Sequence, residues 1–159
     1  MAQFTLENLL DKLTDKMRLE FGYQIDAINQ LNDDLILAGV DENAWISGSL
    51  DERVNNFNEA MFYYVDDLQS IVNGPHIVST IAIEYDLILS QREDTNDYKR
   101  LLRYQAALMG AASEAWGTVG RGYDKATITA LNPIDIKLFN SAYYSKVIGI
   151  RFEFNLLNN

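Results

Sequence analysis

The stretch Ile77-Val78-Ser79-Thr80-Ile81-Ala82-Ile83-Glu84-Tyr85-Asp86-Leu87-Ile88-Leu89 decides how this chain is read. Ile77, Ser79, Ile81, Ile83, Tyr85, Leu87 and Leu89 alternate with Val78, Thr80, Ala82, Glu84, Asp86 and Ile88. A period of two sustained that long marks a β-strand with one apolar face, because successive side chains leave the pleat on opposite sides. At ~3.3 Å per residue the strand extends roughly 43 Å, and a compact chain of this size is only about 40 Å across. It must bend or carry its ends beyond the core. A projecting strand exposes edges that an identical neighbour can cover, so the length predicts a homo-oligomer.

The same alternation returns near the C-terminus, with Ile148, Ile150, Phe152, Phe154 and Leu156 on one side and Gly149, Arg151, Glu153 and Asn155 on the other. Between the two strands the spacing predicts a helix opened by Asp94 or Thr95. Its expected apolar face is Leu101, Leu102, Gln105, Leu108, Met109, Ala112, Ala115 and Trp116, with Lys99, Arg100 and Arg103 outward. A glycine-rich loop, Gly117 to Gly122, follows. Ala126 to Leu131 and Ile134 to Leu138 then read as strand pieces broken at Asn132-Pro133.

Upstream, Leu6, Leu9, Leu10, Leu13, Met17 and Phe21 form a helical stripe, with Thr5 as N-cap and Glu7 in the first turn. Ile25, Ile28, Leu31 and Leu35 resume that spacing beyond Gly22, as one kinked helix or two. Residues 49–73 fit two structures. Ser49 to Glu52 matches a capping box, Val54 to Val72 can line a helical face, and Gly74-Pro75 would stop the helix. Phe62-Tyr63-Tyr64-Val65 favours a strand instead. The expected fold is α/β (α+β): a mainly antiparallel sheet of long strands packed on one or two helices, with an N-terminal helix. One domain spans 1–159, with an acidic, largely helical part (1–72) and a β-α-β-β part (76–157).

With 159 residues, 48% hydrophobic and 23% charged, the chain has the balance of an ordinary globular domain. It has no cysteine, which excludes disulfides, thiolate nucleophiles and zinc fingers, and its one histidine, His76, cannot build a multi-histidine metal site. Glu7 and Asp11 argue against a signal peptide, and no stretch is long and apolar enough to span a membrane. The net charge of −10 lies wholly in residues 1–72, which hold 4 basic and 14 acidic residues against 9 of each in 73–159. Such a surface repels nucleic acid rather than gripping it, and suits a basic partner or a wall past which DNA slides.

No catalytic constellation emerges. Ile46-Ser47-Gly48-Ser49 lacks the nucleophile elbow. The acidic pairs Asp33-Asp34, Asp41-Glu42 and Asp66-Asp67 lack the spacing of a calcium loop. The glycine-rich loop follows a helix and lacks the Gly-Lys-Ser/Thr of a phosphate loop. No catalytic, metal or cofactor residues are therefore expected. Trp45, Trp116 and Tyr143-Tyr144 are expected as core or interface anchors.

From His76 onward the order of elements resembles the tail terminator (tail completion, neck) proteins of tailed bacteriophages. The echoes are Ile81 to Leu87, Leu101 to Ala115 and Val147 to Phe154; the acidic stretch between residues 22 and 60 departs from that pattern. The resemblance implies a structural virion protein without enzymatic activity and without cofactor. It implies a hexameric ring that caps the tail tube and joins it to the head–tail connector, made in the host cytoplasm and carried in the virion neck. DNA would pass through the channel without specific binding. Gly120, Arg121 and Gly122 are the expected subunit or tube contact, because Arg121 is the only charge between Glu114 and Asp124 on a loop freed by glycines. Other phage neck, connector or baseplate subunits share this profile. An acidic inhibitor or immunity-type binding protein is a reading of a different class, and a small α+β enzyme lacks its nucleophile and base.

Overall fold

Three strands of equal length organise the chain in a computed structural model, which describes residues 6–31, 34–48, 59–90, 97–119, 125–137 and 144–158. In chain order the elements are α1 (Leu6–Asn29), a 3-10 turn (Glu42–Ala44), β1 (Trp45–Ser47), β2 (Glu59–Asn73) and β3 (His76–Ser90), then α2 (Asp97–Val119), β4 (Lys125–Ala130), β5 (Ile134–Lys137) and β6 (Tyr144–Asn158). The sheet order is β1-β2-β3-β6-β4, with β5 also paired to β6. Every pairing is antiparallel except β1 with β2. The fold is α+β, as the alternation predicts.

Register decides which face is core. β3 and β6 match Ile81 with Phe154, Ile83 with Phe152, Tyr85 with Ile150 and Leu87 with Ile148, and all eight are buried. Against this face lie Leu9, Leu13, Met17, Phe21 and Ile25 of α1, with Tyr104, Ala107, Leu108, Ala111, Ala112 and Ala115 of α2. Tyr85 meets Phe152 edge-on at 5.8 Å, Phe152 stacks on Phe154 at 6.0 Å, and Trp116 stacks on Phe154 at 6.4 Å. The Tyr85 hydroxyl, buried with the ring, shares a 2.8 Å hydrogen bond with Thr14 of α1. Small residues let the helices approach closely: a Cβ on Gly110 would come within 2.6 Å of Gln24 Oε1.

Several expectations need correcting. α1 ends at Asn29, so Leu31 and Leu35 do not extend the helix, and Leu31 is exposed. The Asn29 side-chain amide bonds both the carbonyl and the N–H of Leu37 (2.9 and 2.8 Å), acting as a strand partner that turns the chain back. Residues 59–73 are strand, not helix, so the 1–72 part is less helical than expected and joins the 76–157 part through β2 and β3. The capping box lies outside the described residues. α2 runs to Val119, which makes Gly117 helical, and its buried face is rotated from the expected one: Leu102 and Met109 are exposed and Tyr104 is fully buried.

Arg100 is not outward either. It is buried, donates to Glu59 Oε1 at 2.9 Å and lies 5.6 Å over the Tyr104 ring. Arg103 reaches inward to the Leu35 carbonyl (2.7 Å), and Tyr104 donates to the Ala38 carbonyl (2.6 Å). These bonds strap segment 35–38 across the start of α2. Polar partners from other segments thus meet Arg100 and Tyr104 on the side of α2 that packs into the core.

Two measurements check this core. Phe152→Ala should cost about 3–5 kcal/mol in urea unfolding, the usual range for a buried aromatic; a loss under ~1 kcal/mol would place that face outside the core. Arg100→Met should also destabilise by about 3–5 kcal/mol, because it removes a buried guanidinium that donates to the buried Glu59 carboxylate.

Candidate assembly surface

β2 and β3 form one hairpin whose two halves differ. The half near Glu59 is buried, with Met61 and Phe62 inaccessible to solvent, whereas from Asp66 to Asn73 every residue of β2 is exposed. On the helix-side face the distal half presents Leu68 (49% exposed), Val72 (74%) and Ile77 (43%), and on the opposite face Ile71 (65%). The turn is two residues long, with Asn73 paired to His76 across Gly74-Pro75. Gly74 sits at φ 61, which glycine adopts without strain, and glycine first in a two-residue loop matches the twist of the strands it joins. Gly74-Pro75 thus closes a hairpin and does not stop a helix.

The edge beside this projecting half is open. β1 covers only Met61 to Tyr63, and Gly48 N–H closes that contact on the Tyr63 carbonyl at 2.9 Å. From Tyr64 to Asn73 the outer edge meets no other strand among the described residues. Exposed aliphatic side chains on both faces, beside a strand edge that no other described strand pairs, make a surface that invites another chain.

A β-bulge separates the two halves. Val65 pairs with Ile83 and Asp67 with Ala82, leaving Asp66 as the extra residue. Its carboxylate accepts a hydrogen bond from Arg151 Nη1 on β6. Arg151 Nε also donates to Glu153 Oε1 at 3.0 Å, and Glu84 Oε2 lies 3.9 Å from Nη1. One guanidinium therefore bridges three adjacent strands at the point where the hairpin leaves the core.

Asp86 lies beside this cluster on the same face, largely buried. Its Oδ2 accepts from the Tyr64 hydroxyl at 3.1 Å, and it packs over Gly149, where a Cβ would sit 2.5 Å from Oδ1. Burial, reinforced by the charge of Glu84, pushes the Asp86 carboxyl up to about 7, against the pull of the Tyr64 bond. The cluster holds structure together, and among the described residues no group of side chains is arranged to bind a metal ion.

The expected contact residues Gly120, Arg121 and Gly122 lie outside the described residues, as do Asp33 and Tyr143. His76 lies at the hairpin tip. Asp41 caps the 3-10 turn by accepting from Asn43 N–H at 2.9 Å. Trp45 is core, edge-on to Phe21 at 6.3 Å with the Arg18 guanidinium 5.6 Å from its ring centre. The distal half of β2 was not singled out as a site by sequence reasoning; the signal for it was the excess strand length.

The raised Asp86 predicts a pH dependence. An unfolded aspartate titrates near 4, so between about 4 and about 7 the native state binds more protons than the unfolded one, and this group's contribution to stability falls as pH rises through that window. Asp86→Asn should remove that decline. Its urea midpoint should gain on the wild type steadily from pH 4 to pH 7, and parallel curves would refute the assignment.

No protein-family profile matches the chain, and no curated protein matches it either.

Proposed function

We propose that this chain is a self-assembling structural subunit of a tailed-phage virion, a tail terminator whose closed ring caps the tail tube and joins it to the head–tail connector. The observation that carries the reading is the projecting hairpin, with Leu68, Ile71, Val72 and Ile77 in solvent and its outer edge unpaired among the described residues. An isolated globular protein gains nothing from holding four large aliphatic side chains in water on an open edge. A subunit that buries them against a neighbour does. The resemblance of the element order from His76 onward supplies the virion assignment. The charge of −10 adds to it, since an acidic wall lets DNA pass without adhering.

Two experiments test the reading. Immunogold labelling of the tailed virions that carry this gene should place the label at one site, the junction of head and tail; label along the whole tail, or none on virions, would refute it. In solution, the wild type should gain mass with concentration in light scattering; Ile71→Ser with Val72→Ser should change monomer stability by no more than ~1 kcal/mol, because both side chains are exposed, and should abolish that rise. Unchanged association would move the interface elsewhere.

A further inference from the structure

Among the described residues the outer edge of β4 is open as the distal hairpin edge is, and it suggests what covers the hairpin. β4 pairs with β6 on one side and meets no other strand among the described residues on its outer side. We propose that the outer edge of β2 is completed by β4 of a second copy, in an antiparallel, head-to-tail contact that pairs Asp67–Ile71 with Lys125–Thr129. This rests on the reading that the chain self-assembles, and adds which surfaces meet.

Direction comes first. β2 and β6 both run antiparallel to β3 and so run parallel to each other, while β4 runs antiparallel to β6. Placing β4 of one copy beside β2 of the next therefore continues the antiparallel alternation across the junction. Length agrees too. The open edge of β2 begins at Tyr64, just past the contact with β1. β4 ends at Ala130, where the Leu131 N–H turns back to the Gly149 carbonyl at 2.9 Å and Pro133 offers no donor. A neighbour's β4 would thus stop before reaching β1.

Facing then narrows the register. Leu68 shares the helix-side face with Ile81, and Ile128 shares it with Phe152, so a continuous sheet sets Ile128 against an even-numbered residue of β2. Opposing Ile128 to Leu68 makes an aliphatic pair, puts Thr127 against Gln69, and sets the Thr129 hydroxyl against the Asp67 carboxylate. Charge favours β4 over a second β2. Asp66 is already paired with Arg151 of its own chain, but two β2 edges meeting antiparallel near Leu68 would bring two Asp67 carboxylates onto one seam. β4 has no carboxylate, and Lys125 occupies one of its register positions. A contact between two different edges leaves each copy with a free edge of each kind, so the contact repeats, and a ring is its closed form.

The chain has no native cysteine, which makes disulfide trapping clean. Gln69 and Thr127 are both exposed, so cysteine at either position should leave the fold intact, as circular dichroism will verify. In concentrated solution under mild oxidation, a mixture of Gln69→Cys and Thr127→Cys chains should form disulfide dimers about tenfold or more faster than Gln69→Cys mixed with Leu19→Cys, whose cysteine lies on α1. The double variant should give a ladder of covalent oligomers whose largest member counts the subunits of the ring. Rapid dimerisation of Gln69→Cys or Ser70→Cys alone would show two β2 edges meeting and overturn the proposal. Equal rates for the mixed pair and its control would overturn it as well. A clean ladder from a protein absent from virions would keep the edge pairing and remove only the virion role.

Discussion

Strands of 15 residues and helices of 23 or 24 do not have the same length, and that mismatch shapes this protein. The strands extend roughly 50 Å and the helices about 36 Å, so helices that cover the core end of the sheet leave its far end bare. The far end is the β2–β3 tip with the end of β6 beside it. Everything distinctive about the molecule gathers there or at the boundary: the exposed aliphatics, the unpaired edge, the bulge at Asp66 and the guanidinium that pins it. The overhang is a consequence of geometry, and its apolar side chains make it a surface suited to meeting another chain.

The boundary is stiffened on the face away from the helices. There Arg151 ties β6 to β2 across β3, and Asp86 lies in a socket that exists because residue 149 has no side chain. Exposed ion pairs contribute little by themselves. Their value here is geometric, because an extra residue in a strand increases local twist, and Arg151 fixes the direction in which Asp66 bulges. The hairpin therefore leaves the core at a defined angle.

Much of this was legible from residue spacing and some was not, for physical reasons. β3 and β6 announce themselves because both faces keep a strict period of two over their whole length, and Ile83 and Phe152 fall on the core face as that period requires. β2 hid behind its own bulge. One inserted residue at Asp66 turns the even spacing of one face into steps of four, three and four, so Met61, Val65, Leu68 and Val72 imitate a helical stripe, and Tyr64 and Ile71 of the other face fill it out. Gly74-Pro75 then reads as readily for a helix stop as for a hairpin turn. The existence of α2 is legible, but its last residues, Gly117 to Val119, and its rotation are not, since Tyr104 and Arg100 bond Ala38 and Glu59, partners remote in sequence. The candidate surface was visible only as an excess of strand length, which indicates that something projects without saying which side chains it carries.

The place of β6 in the sheet has a kinetic side. It follows β4 and β5 in the chain, yet it lies between them and β3. During synthesis the β2–β3 hairpin can close as soon as it emerges, since its turn is two residues long. β4 and β5 by contrast have no partner until Tyr144–Asn158 has left the ribosome. For that interval Ile81, Ile83 and Leu87 lack the strand beside them, and the sheet's central pairings are its least local ones. Long-range pairing of this sort folds slowly and exposes unsatisfied strand edges while it waits. The nascent chain therefore passes through a stage in which a temporary edge, that of β3, lies open beside the lasting edge of β2, and a chaperone that shields the growing sheet until β6 arrives would direct the molecule toward its native sheet and away from aggregation.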